Sequence, residues 1–124
     1  MNTLIKGIFT GTWKSFKIFK QLGAIAFSTK DQFTQFEFTG VANVVIKAHH
    51  HGRLTTIANS DNWTVELKNR RHYMRIPATK LHYEIITVNH TVLVLADVTS
   101  GEKTFFAREH QWQDRLNANC SVIL

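Results

Sequence analysis

Disulfide chemistry, long apolar runs and proline are nearly absent from this chain of 124 residues. One cysteine, Cys120, allows no internal disulfide and no paired-thiol zinc or redox motif. No apolar run approaches the roughly 18 residues a membrane-spanning helix needs. The N-terminal apolar clusters are split by Lys6, Gly7, Gly11, Lys14 and Lys17, which also excludes a secretory-leader core. The expected location is therefore the cytoplasm, or the periplasm or cell exterior if a leader was trimmed. Acids are scarce, with Asp+Glu 9 against Lys+Arg 15 and a formal net charge of +6. Catalytic signatures are missing too. There is no Gly-x-Ser-x-Gly elbow, no His-Glu-x-x-His and no phosphate-cradling glycine loop. Glu37, Glu66, Glu84, Glu102 and Glu109 stand apart, with no spacing that suggests paired carboxylates. A non-enzymatic protein without a cofactor is expected.

What the chain does have is β-forming sequence. Hydrophobic residues make up 44%, nine are Phe, and the sole proline is Pro77. Val, Ile, Thr and aromatic side chains suit a pleated, half-buried surface. Asn62 to Lys68 alternates cleanly, placing Trp63, Val65 and Leu67 on one face. Tyr83 to Val88 and Val92 to Leu95 read as strands covered in part on both faces. Polar breaks at Lys30-Asp31, His51-Gly52, Asn59-Ser60-Asp61, Lys68-Asn69-Arg70, Asn89-His90 and Thr99-Ser100-Gly101 separate these runs. Regular short strands of this kind indicate an antiparallel sandwich or barrel.

Both ends are less clear. At 100° per residue Ile5, Ile8, Phe9, Trp13, Phe16 and Phe19 share one side of a basic helix, but Gly7 and Gly11 would each cost about 1 kcal/mol in its interior. A strand from about Thr10 to Lys20 is preferred. Residues 111–124 read as a tail able to form one or two helical turns, packed on the body or frayed.

Gly11-Thr12-Trp13-Lys14 resembles the Gly-x-Trp motif on the first strand of lipocalin-like (calycin) barrels. The segments Tyr83 to Ile86, Val92 to Leu95 and Gly101 to Arg108 are similar to the closing strands of small bacterial lipocalin-like domains. The resemblance spans roughly residues 9–109. It implies a single domain over 1–124: an all-β, antiparallel up-and-down barrel of about eight strands with a short C-terminal tail. It also implies structural roles for three residues. Trp13 would plug one barrel end, and Arg108 would lie over its ring in a cation–π contact of about 0.5–2 kcal/mol. Gly11 would let the backbone pass close to the floor. Fatty-acid-binding proteins share a similar opening, but Gln21 to Ile25 leave no room for their helical pair.

By this reading the interior positions are Phe27, Phe36, Phe38, Val45, Ile57, Trp63, Val65, Tyr73, Tyr83, Ile85 and Phe106. Among them Phe27, Phe36, Phe38, Trp63, Tyr73, Tyr83 and Phe106 are the ligand-lining candidates. The expected activity is binding of a small hydrophobic or amphipathic molecule in the barrel, with basic rim residues available to an anionic head group. The alternative is a basic surface-interaction module for nucleic acid or anionic membrane, suggested by the Lys14, Lys17, Lys20 and Arg70, Arg71, Arg75 concentrations. His49 and His51 are weak metal-ligand candidates. They would share a strand face, but no third ligand is evident, and an exposed turn before Gly52 is the simpler reading.

Overall fold

The structure is a computed structural model that describes residues 2–40, 42–77 and 79–123, with side chains from 6 to 118; the side chain of Cys120 lies outside the described residues. Helix α1 (Asn2–Phe9) leads into β1 (Gly11–Phe19). There follow β2 (Ile25–Phe27), β3 (Gln32–Thr39), β4 (Asn43–His50), β5 (Arg53–Ser60), β6 (Thr64–Lys68), β7 (Arg71–Arg75), β8 (His82–Val88), β9 (Val92–Asp97) and β10 (Lys103–Arg108), and then α2 (Glu109–Ile123). The strands form one antiparallel, ten-stranded sheet in the order β5-β4-β3-β1-β10-β9-β8-β7-β6, with β2 on β1. The all-β architecture is as expected, but the strand number is ten rather than about eight. Among the described residues no ladder joins β5 to β6, so the sheet is not closed by hydrogen bonds.

The sheet is nevertheless strongly curled. β3 and β8 lie four strand spacings apart, about 19 Å in a flat sheet, yet the rings of Phe36 and Tyr83 are 5.9 Å apart. The inner faces therefore meet in one apolar cluster that runs from Phe9 and Trp13 through Phe36, Phe38, Val44 and Ile46 to Trp63, Val65, Met74, Leu93, Leu95 and Phe106. Tight turns drive this path. His51 and Gly52 (φ 52° and 79°), and Asn69 and Arg70 (φ 53° and 66°), take left-handed backbone at two-residue hairpin turns, the pairing that matches the twist of flanking strands.

Three irregularities set which side chains face inward. In β1 the pairing with β10 slips between Ser15 and Lys17, so Phe16 is the extra residue and is buried on the outer face instead. The carbonyls beside it accept from elsewhere: Trp112 Nε1 donates to that of Ser15 (2.7 Å) and the Ser28 N–H to that of Phe16 (3.0 Å). Slips also occur opposite Ile57 in β5 and at Ile86 in β8.

The two ends of the chain differ from expectation. The N-terminal segment divides, as helix up to Phe9 and strand from Gly11, so each alternative holds for part of it. The C-terminal segment is a 15-residue helix. Trp112 and Leu116, one turn apart, bury against Phe16, Ala107, Phe33 and Phe105 on the outer face of β1 and β10.

Candidate functional site

The two ends of the curled sheet are filled differently. At the floor, Trp13 is wholly buried, and Arg108 Cζ lies 3.9 Å from its ring centroid. The last carbonyls of a helix have no partner within it, and these two residues supply partners for α1 and the residue after it. Arg108 donates from Nη2 to Ile8 O (2.7 Å) and from Nη1 to Thr10 O (2.6 Å), while Trp13 Nε1 donates to Phe9 O (2.9 Å). A third Arg108 bond reaches His90 O (3.3 Å). A cation at a helix C-terminus also complements the helix dipole. Gly11 has φ 121°, and a Cβ there would meet Arg108 Nη1 at 3.0 Å, so a side chain is disfavoured on both counts. Above this staple Phe9, Phe38 and Trp63 pack edge-on or tilted, with centroids 4.9–5.3 Å apart. Lys6 Nζ donates to Trp63 O (2.8 Å) and lies over its ring (4.6 Å). This end is solid.

At the other end the inner faces leave a cavity of about 230 Å³. Its apolar walls are Ile18, Phe36, Ile46, Leu95 and Phe106, and its polar lining is Thr34, Tyr83, Asp97, Glu102 and Thr104, with Ile57 at the β5 edge. Burial first, and then the negative charge of Asp97, push the Tyr83 hydroxyl up to about 12, which keeps it neutral. Asp97 is held in place because its Oδ1 accepts the backbone N–H groups of Thr99 (2.8 Å) and Ser100 (3.0 Å). The Glu102 backbone is fixed by the bond from Asp97 N to its carbonyl (2.8 Å). Expected basic rim residues do not appear in this lining; carboxylates stand there instead.

Two of the three larger hollows among the described residues differ in kind; the third, about 260 Å³, lies beside Glu66, Tyr73 and Arg75. A cleft of about 380 Å³ lies where β1 changes partner from β3 to β2, and is lined by Ser15, Ser28, Thr34, His49, His50 and Lys20 among others. It shares Ile18 and Thr34 with the inner cavity, so the two open side by side. A hollow of about 570 Å³ on the outer face is bordered by Arg71 and Glu84, which pair with each other at 3.7 Å. The inner cavity is smaller and open at the mouth, but its apolar walls converge from the inner faces of five strands, an arrangement that suits a small-molecule site.

Of the ligand-lining candidates, Phe36, Tyr83 and Phe106 border this cavity. Phe38 and Trp63 belong to the solid end. Phe27 is 39% exposed, because β2 peels away with only β1 as partner. Tyr73 faces outward: its neighbour Met74 takes the inward position opposite Val65 and Tyr83, and Tyr73 instead borders the outer hollow. Val45 likewise yields the inner face to Val44 and Ile46, and Ile57 is 56% exposed on the unpaired edge. Leu67, in phase with Val65, runs past the core and is 64% exposed.

His49 and His51 do not converge. His49 stacks on Phe33 at 4.9 Å in β4, while His51 is in the turn. Among the described residues no group of three His, Cys, Asp or Glu side chains is placed to hold a metal. Several cations are engaged as well: Lys14 with Glu109, Lys47 with Glu37 and Arg75 with Glu66, at 3.0–3.4 Å. Among the described residues no helix is long and apolar enough to cross a membrane.

Sequence reasoning missed Asp97 and Glu102, though the signal was present. Leu93, Leu95 and Asp97, and Glu102, Thr104 and Phe106, each continue an inward phase of period two. No protein-family model, no curated protein and no solved structure matches the chain.

Proposed function

We propose that this protein is a non-enzymatic binder of a small hydrophobic or amphipathic molecule, taken into the open end of a curled, lipocalin-like sheet. The observation that carries this reading is the inner cavity, whose five apolar wall residues converge from β1, β3, β4, β9 and β10. Its volume of about 230 Å³ is below the roughly 300–1,000 Å³ of drug-sized sites, so the occupant is small. Binding removes the apolar body from water against Phe36, Leu95 and Phe106, while Tyr83, Thr34 and Thr104 orient its polar end. The Gly11, Trp13 and Arg108 arrangement supports the family resemblance and concerns the fold rather than the ligand. Octan-1-ol is a suitable neutral probe, titrated into the full chain by calorimetry and by amide chemical shifts. Saturable one-to-one binding with shifts at Phe36, Leu95 and Phe106 is expected. Absence of binding, or shifts confined to the outer face, would count against the reading.

A further inference from the structure

We propose that the cavity selects a molecule with a cationic head, a small alkyl- or arylammonium, seated on Asp97 and Glu102 with its apolar body against Phe36, Leu95 and Phe106. The inference rests on the small-molecule reading above and gives the ligand its charge.

The site is the apolar-walled cavity; the carboxylates decide what it accepts. The chain has 15 Lys and Arg against 9 Asp and Glu, so cations are in ample supply to neutralise its acids. Glu37, Glu66, Glu84 and Glu109 each pair with one. Asp97 and Glu102 are both partly buried. Yet among the described residues no Lys, Arg or His pairs with either, and none lines the cavity. Of the positive groups near this end, Lys20, His49 and His50 border the neighbouring cleft, while Arg71 and Lys103 border the outer hollow, which Asp97 also reaches without forming an ion pair.

A partly buried carboxylate is costly without a charged or hydrogen-bonding partner. At Asp97 the two backbone N–H groups satisfy Oδ1 and fix the group in place. A mobile side chain would have to be ordered when a ligand arrives; a fixed one is already aimed. Asp97 is the cross-strand neighbour of Tyr83 on the cavity wall, and after burial its charge is the second cause that pushes the Tyr83 hydroxyl up. An ammonium fits such an acceptor set, because it brings only donors and a positive charge. A carboxylate head would meet like charge in the same place.

Octylammonium, octan-1-ol and octanoate share one tail and differ only in the head, so their affinities for the full chain isolate the head-group preference. Octylammonium is expected to bind at least tenfold more tightly than octanol, and octanoate most weakly. In the double variant Asp97→Asn with Glu102→Gln, the preference for octylammonium over octanol should fall at least tenfold. The side-chain amide introduced by Asp97→Asn keeps an oxygen for the two turn N–H groups, and circular dichroism checks the fold. Thr104→Phe, which fills the cavity, should abolish binding of all three. Octanoate binding as tightly as octylammonium, an unchanged preference for octylammonium over octanol in the double variant, or binding that survives Thr104→Phe would overturn the cationic assignment. Octanol and octanoate binding without octylammonium would do the same while leaving the small-molecule reading intact. Failure of all three to bind would overturn both.

Discussion

The floor and the mouth of the curled sheet are made by the same strands, yet one is a core and the other a vessel. β1 contributes Trp13 to the floor and Ile18 to the mouth, and β10 contributes Arg108 and Thr104 in the same way. At the floor, helix α1 closes the opening, and the Trp13 indole and Arg108 guanidinium both donate to carbonyls there. Among the described residues no α-helix covers the mouth; one 3-10 turn, Gln21–Gly23, follows β1 there and Gln21 donates to Ser100 O, while the polar side chains lining the cavity do not pair with one another. Stability should therefore be concentrated at one end and ligand chemistry at the other. Substitutions at the two ends of the same strands can break that comparison.

The largest effect is expected from Trp13→Ala. Truncating a wholly buried Trp costs about 3–5 kcal/mol, and here it also frees Phe9 O and removes the surface under Arg108. Urea denaturation should show a protein at the edge of unfolding, given typical total stabilities of about 5–15 kcal/mol. Arg108→Lys follows, with a loss of about 2–3 kcal/mol. A lysine retains the charge but not the planar fork that reaches Ile8 O and Thr10 O together. If Arg108→Lys is neutral, the staple is not what holds α1. Gly11→Ala should cost about 1–3 kcal/mol through its left-handed backbone and the approach of Nη1. Set against these, Glu102→Gln at the mouth should change stability by less than about 0.5 kcal/mol. A loss comparable to that of Arg108→Lys would show that the mouth is structural, and the division of labour would fall.

How much of this could be read from the residues depended on whether the pattern was local. Trp63 and Val65 were legible as inward because they alternate with Asn62, Thr64 and Glu66. Gly11, Trp13 and Arg108 were legible through a short local motif, and in the structure Arg108 lies over the Trp13 ring with Gly11 against its guanidinium. Where apolar residues are adjacent, periodicity gives no phase. Val44-Val45-Ile46 and Tyr73-Met74 each admit two choices, and only the cross-strand register with Phe36, Phe38 and Val65 decides them. Bulges at Phe16 and Ile86 shift the phase within a strand, and no single residue announces them. The α1 and β1 boundary was ambiguous for a related reason: one stretch of apolar residues satisfies a helical period up to Phe9 and a strand thereafter. Asp97 and Glu102 flank a turn, so they read as solvated turn residues. Their inward aim follows only once the strands on each side are extended by one step.

A difference confined to alkaline pH also separates the two ends. Tyr83 is raised from its ordinary value of 10.0 to about 12 in the folded protein, by burial and then by Asp97. Folding thus favours the neutral phenol. Its contribution to stability is full below pH 10, where the hydroxyl is protonated in folded and unfolded chains alike. Between about pH 10 and 12 the unfolded chain releases this proton and the folded one does not. Over that window stability should fall with rising pH, by at most about 1.4 kcal/mol per unit from this group. Lysines titrate in the same range, so the test is the difference between the wild type and Tyr83→Phe. Below pH 9 that difference should be flat, and above pH 10 it should move in favour of the variant. Asp97→Asn removes the second cause of the shift, so the folded phenol of that variant ionises at a lower pH. Its alkaline loss of stability should then be smaller than that of the wild type, and the gain should vanish when Tyr83→Phe is combined with it. A Tyr83→Phe difference that stays flat from pH 7 to 12 would mean that the hydroxyl is in contact with bulk water and that the mouth is more open than its walls suggest.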